Sequence, residues 1–312
     1  MSRTETGVRI GRAPAGPERL SLRDWLDALK RAAKEFMADD CLGLAQQMAF
    51  SSLLAFFPAV VLLVGLFGLT GAFDELKEFL GVVAPHAVID AIDLAEESAA
   101  GRTGASAAAV IVGAAGATWA ASGAMASSIK AVNRAYERVE TRPAWKVRAL
   151  AVLLVALTGL VTAAIFLLIV FGGPIGEAIA DRAGLGRAFE LLWAIIRWPI
   201  AYTAILLFFA IVYWAAPNVE PRNWKWITPG SIVGSLLWLA LSGLFALYTS
   251  FADSYDRTYG SLAGGIVLLL WLYYSGVALL FGAELNAELD RQAAIRAAGG
   301  PRAGLVEPGR RA

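Results

Sequence analysis

Six stretches of this chain run for roughly 20 residues without a single Asp, Glu, Lys or Arg, enough for a helix to cross about 30 Å of hydrocarbon. They are Leu44 to Leu69, Gly104 to Ile129, Ala149 to Phe171, Trp198 to Ala216, Ile227 to Ser250 and Leu262 to Ala283. Lipid offers a backbone amide no partner, so runs of this length must satisfy their own hydrogen bonds as helices; a barrel strand needs only about 9 to 11 residues. The chain is 58% hydrophobic and 17% charged, with a mean hydropathy of +0.60. That composition excludes an ordinary soluble domain and a disordered chain. Cys41 is the only cysteine, which excludes a disulfide scaffold. The expected fold is all-α: a polytopic six-helix membrane bundle.

A net charge of +1 gives no electrostatic case for nucleic acid. The distribution of charge is more informative. Alternate connections, starting with the N-terminal tail, carry 21 of the Lys and Arg residues and the others carry 6. Positive charge is retained on the cytoplasmic side, so both termini are expected in the cytoplasm. The polar, basic first 40 residues do not read as a cleavable signal. Residues 1–20 read as a disordered tail, 21–290 as the membrane domain and 291–312 as a second tail. Ser21 resembles an N-cap, and Leu22, Trp25, Leu26, Leu29 and Phe36 share a face opposite basic residues. This predicts an amphipathic helix, either on the leaflet surface or packed under the bundle. In the first outer connection Phe73, Leu76 and Leu80, then Val88, Ile89 and Ile92, predict two further short amphipathic helices.

The only histidine, His86, lies in that outer connection, and no GxSxG, HExxH, phosphate-loop or paired zinc-cysteine motif occurs. No enzyme chemistry, metal or cofactor is expected. The polar and irregular positions near the spans are the candidates for a substrate pathway. Gln46, Gln47 and Ser51 enter the first span, and Pro58 should kink it. The second span is built almost wholly of Ala, Gly and Ser; Gly113 and Gly116 either seat a neighbouring helix closely or leave a cavity. Asn133, Arg134 and Tyr136 extend it into a basic cytoplasmic segment suited to an anion or lipid headgroup. Arg197 before Trp198-Pro199, Tyr259 in the last outer connection, and Glu284 with Asn286 after the sixth span complete the set. Arg197 and Glu284 read more readily as snorkelling or interfacial anchors than as pathway residues.

Several segments, in order, resemble the YihY/virulence factor BrkB family, formerly labelled as ribonuclease BN. They are Ala49-Phe50-Ser51-Ser52-Leu53-Leu54-Ala55 through Pro58, Asn133-Arg134-Ala135-Tyr136, and Pro217-Asn218 with Trp226 and Pro229-Gly230. The most specific stretch runs from Thr258-Tyr259-Gly260-Ser261-Leu262 through Leu270-Trp271-Leu272-Tyr273 to Gly282-Ala283-Glu284-Leu285-Asn286-Ala287-Glu288. The resemblance covers about residues 28 to 290. It implies a six-helix protein of the bacterial cytoplasmic membrane with no catalytic residues, a transporter linked to virulence and envelope lipids.

The leading expectation is a transporter, without an ATPase of its own, that moves lipids or other anionic amphiphiles. Its partners would be anionic headgroups on the cytoplasmic side, with a homo-oligomer left open. The alternative is a structural or partner-docking envelope protein. A polar cleft beside Gln46, Gln47 and Asn133 would favour transport, and a solid interior would favour docking.

Overall fold

The structure, a computed structural model, describes residues 22–70, 103–170, 186–219, 227–250 and 262–297, with isolated positions between 171 and 185. The N-terminal tail, the outer connection carrying His86 and its two expected short helices, and Tyr259 lie outside these residues. Regular structure among the described residues is entirely helical: α1 (Leu22–Ala38), α2 (Cys41–Thr70), α3 (Thr103–Ala135), α4 (Ala144–Val170), α5 (Gly186–Ala215), α6 (Pro229–Ser250) and α7 (Leu262–Ala297). Among the described residues, five segments are long and apolar enough to cross a membrane: Val110–Ala135, Ala144–Thr162, Leu191–Ala215, Pro229–Tyr248 and Gly264–Gln292. Helix α2 carries the shorter apolar segment Cys41–Phe56.

The exterior has the character of a protein dissolved in lipid. Ile111, Trp119, Leu153, Leu160, Ile195 and Leu244 are each more than 60% exposed, while Asn133, Ser231, Ser235, Glu284, Asn286 and Glu288 are buried. An aqueous solvent would favour the reverse arrangement.

Small residues decide which helices touch. A Cβ on Gly113 of α3 would lie 2.6 Å from the Leu62 nitrogen of α2, and one on Gly116 would lie 3.4 Å from Pro58. Ser51 and Ser127 meet at 3.5 Å lower down the same seam. Gly276 of α7 is packed against Ala45 of α2. Across α6 and α7 the indoles hold the register: Trp238 donates to Ser275 at 2.9 Å and Trp271 to Ser242 at 3.2 Å. Tyr213 of α5 donates to the Leu279 carbonyl of α7 at 2.8 Å.

Three expectations change. First, the apolar face predicted for α1 divides in two. Ala28, Ala32 and Phe36 are buried, the alanines against Leu285 and Leu289 of α7, whereas Leu26 and Leu29 are exposed. Alanine lets the backbones approach, so the alanine stripe and not the leucine stripe seats the helix. Second, α5 begins at Gly186, well before the expected start at Trp198, so Arg197 lies inside the apolar segment Leu191–Ala215. A single charge interrupts the uncharged run without ending the helix. Third, α7 runs to Ala297, which places Glu284 within the helix and makes it 3% exposed. Ala, Leu, Glu, Arg and Gln, which dominate residues 283–297, all propagate a helix well.

The Gly113 contact leads to a stability test. Gly113→Leu is expected to lower unfolding stability in detergent by about 3 kcal/mol or more, because backbone on the facing helix must move. A Cβ added to Gly159 on α4 would have nothing within 4 Å of it, so Gly159→Leu should stay within about 0.5 kcal/mol of wild type in the same thermal melt.

Candidate functional site

At one end of the bundle the starts of α2, α4 and α6 meet the ends of α3 and α5 and the later part of α7. Helix α3 stops there in a Schellman turn: Glu137 N–H bonds the Arg134 carbonyl at 2.9 Å, Arg138 N–H bonds the Asn133 carbonyl at 2.8 Å, and Glu137 has φ 50°. The turn throws residues 137 to 143 across the bundle end. Pro229 occupies the first position of α6, where its missing N–H is no loss. Thr228 and Ser231 cap that helix reciprocally, Ser231 N–H to Thr228 Oγ1 at 3.1 Å and Thr228 N–H to Ser231 Oγ at 3.0 Å.

Two buried asparagines join these helix ends. Asn133 Oδ1 accepts the Asn218 N–H at 2.7 Å, and Asn133 Nδ2 donates to Glu140 at 2.8 Å. Asn286 Oδ1 accepts the Gly230 N–H at 2.8 Å, and Asn286 Nδ2 donates to Thr228 Oγ1 at 2.9 Å. Gly230 is required by this approach: a Cβ there would collide with the Asn286 side chain and the Gly282 carbonyl. Each asparagine thus satisfies an amide that the helical ladder leaves without a partner.

Arg142 locks the end of α5. It donates to the Ala215 and Ala216 carbonyls at 3.4 and 2.8 Å, and pairs with both Glu140 oxygens at 2.7 and 2.6 Å. A guanidinium on the negative end of a helix is favourable on charge as well as hydrogen bonding. The hydrogen bonds from Arg142 hold the Glu140 carboxyl below its usual pKa.

Two cavities open at this end. The first, about 440 Å³, lies between the end of α3 and the start of α4. Ala126, Ile129 and Val147 supply apolar lining; Lys130, Arg134 and Arg138 supply positive charge; Asn133 and Glu140 complete it. Arg134 is also 3.3 Å from Asp39 in the turn between α1 and α2. The second, about 460 Å³, lies beside α7 and is acidic on balance, with Glu35, Glu137, Glu284, Glu288 and Asp290 against Arg138 and Arg291. Glu284 accepts a hydrogen bond from the Cys41 thiol at 3.4 Å, and Glu288 pairs with Arg31 of α1.

The expected pathway residues therefore fall into separate places. Asn133 and Arg134 line the basic cleft, while Tyr136 and Glu284 line the acidic cavity. Asn286 is a structural bridge near the second of these. Gln46 and Gln47 are exposed on α2 and line neither cavity. Ser51, Pro58, Gly113 and Gly116 form the α2–α3 seam. Arg197 lies far along α5, about 27 Å from its end at Ala215. Sequence reasoning missed Glu140 and Arg142; a carboxylate two residues before an arginine in a short connection is too common a pattern to stand out.

The Glu140–Arg142 pair has a defined pH response. A depressed carboxyl pKa contributes stability above the unfolded value, about 4.3, and that contribution is lost as pH falls through the folded value. Glu140→Gln is expected to lower stability at pH 7 by about 1 kcal/mol after allowance for solvent screening. Thermal melts of the two proteins should converge as the buffer is taken into the acid range.

Comparison with other proteins places this architecture. Residues 32–304 match the family model for Virulence factor BrkB. The chain is 30% identical over 250 residues to the putative ribonuclease-like protein YfkH of Bacillus subtilis (strain 168), a match that covers 79% of this chain and 89% of that protein. It is 27% identical over 291 residues to a UPF0761 membrane protein of Alkalilimnicola ehrlichii, covering 91% of this chain and 64% of that one. A UPF0761 membrane protein of Idiomarina loihiensis is 26% identical over 140 residues, 42% of this chain and 49% of its own. No solved structure matches. With the apolar exterior and helical architecture described above, these matches identify a multi-pass membrane protein, and the chain belongs to the Virulence factor BrkB family.

Proposed function

We propose that this protein crosses the bacterial cytoplasmic membrane six times, with both termini and the hydrogen-bonded bundle end in the cytoplasm, and that it binds and moves anionic amphiphiles, lipids among them. The observation that carries the reading is the cleft between α3 and α4. Its apolar lining from Ala126, Ile129 and Val147 beside Lys130, Arg134 and Arg138 matches a molecule with an acyl portion and a negative headgroup. The acidic cavity beside α7 is the wrong charge for such a headgroup. Arg138 lines both, so it stands where a headgroup would be attracted from one side and repelled from the other. No step of this reading requires a catalytic residue, a metal or a nucleotide.

One observation favours the second reading, a structural or docking protein. The small residues of α3 are used for close contact with α2, since the space beside Gly113 is filled by the Leu62 backbone. Transport along that seam would need the two helices to separate.

Binding and movement can be tested separately in vesicles containing phosphatidylglycerol. Lys130→Gln/Arg138→Gln is expected to weaken binding of a fluorescent anionic lipid by about tenfold or more, since each cation near a headgroup contributes about 1 kcal/mol. Wild type should also move that lipid between leaflets faster than protein-free vesicles do. Binding without movement would favour the docking reading, and unchanged binding in the double variant would remove the cleft from either.

A further inference from the structure

Arg197 presents a problem that no residue of the bundle end explains. It lies within the apolar segment Leu191–Ala215, between neighbours that face outward: Ile195, Ile196, Trp198 and Ile200 are 68%, 42%, 55% and 45% exposed. Its Nε is buried and has no hydrogen-bond partner among the described residues. Its guanidinium carbon is 5.7 Å from the centroid of the Trp198 ring, and a Cβ added to Gly173 would lie 3.7 Å from its Nη1. Neither contact supplies an acceptor for Nε. A guanidinium has five N–H donors in a planar fork and stays charged in any protein setting. Such a group in apolar surroundings persists when an acceptor from outside the chain completes it.

Its depth suggests which acceptor. Arg197 is about 27 Å along the helix from Ala215, close to the thickness of the hydrocarbon layer, so it reaches the opposite interface from the basic cleft. Tryptophan marks this end of the helix: Trp198 is beside Arg197, and Trp193 lies about 6 Å further toward the start of α5. Tryptophans concentrate where headgroups begin.

We propose that Arg197, flanked by Trp198 and Gly173, is a binding site for the phosphate of a membrane phospholipid in the leaflet opposite the α3–α4 cleft. Two phosphate oxygens suit the planar fork, which favours bidentate pairing over a point charge. The acyl chains would lie on the exposed apolar surface of α5. The site is independent of the cleft and needs the protein only to span the membrane, so either can fail without the other.

The test uses the full chain carrying Lys130→Gln/Arg138→Gln, which removes the cleft's contribution. Spin-labelled phosphatidylglycerol and a labelled phosphate-free glucosyl diacylglycerol are compared in reconstituted vesicles, and motionally restricted lipid is measured by electron paramagnetic resonance. Adding Arg197→Gln is expected to lower the preference for the phospholipid by about tenfold, and Arg197→Lys by less, because the charge remains while the fork is lost. An unchanged preference in Arg197→Gln overturns the proposal. The wild-type protein gives a second measurement that does not depend on the variants folding: its thermal stability in detergent should rise with added phosphatidylglycerol and not with the glycolipid. Equal responses overturn the proposal, and stabilisation by inorganic phosphate alone overturns the lipid as the source of the phosphate.

Discussion

Two buried asparagine side chains hold the connection between α5 and α6 at both of its ends, and the arrangement of the polar end of the bundle depends on them. Asn133 takes the Asn218 amide just after α5, and Asn286 takes the Gly230 amide just inside α6. In a membrane protein the apolar surfaces of helices gain nothing from meeting one another rather than lipid, so the position of a helix end has to be set by close packing and directional bonds. Asn133 lies on α3, which is seated on α2, and Asn286 lies on α7, which is seated on α6 and also touches α2. The same two side chains therefore tie the two tightly seated helix pairs to the α5–α6 connection.

Charge is sorted around this frame. The basic cleft and the acidic cavity share Arg138, which the Schellman turn after α3 places between them. Glu140 and Arg142 neutralise one another while sealing the end of α5, which leaves Lys130 and Arg138 as the cations of the cleft without an ion pair among the described residues. Helix α1 closes the acidic side through Arg31, and the turn that follows it reaches α3 through Asp39. An amphipathic helix at a membrane surface would thus be coupled to both cavities by ion pairs instead of lying loose beneath them.

The sequence revealed the apolar helices, five of them long enough to span among the described residues, because an uncharged run of helical length has few alternatives in lipid. It also singled out Asn133, Pro217-Asn218, Pro229-Gly230 and Asn286 as motifs, but not that they are one another's partners. Side chain to backbone bonds between residues 85 or 56 positions apart leave no local pattern. The truncated start of the fourth span and end of the sixth have one cause: scanning for uncharged residues stops at Arg197 and Glu284, whereas the helix continues and buries or shields the charge. Helix α1 forms as expected, but the residues that seat it were not legible. Hydrophobic periodicity ranks leucine above alanine, but close seating on α7 favours the smaller side chain.

Amide hydrogen exchange at the two ends of the α5–α6 connection tests the central claim most directly. In Asn133→Ala the Asn218 amide should exchange about tenfold faster or more, with Gly230 still protected, and Asn286→Ala should produce the opposite pattern. Wild-type rates at both amides in the two variants would contradict the account.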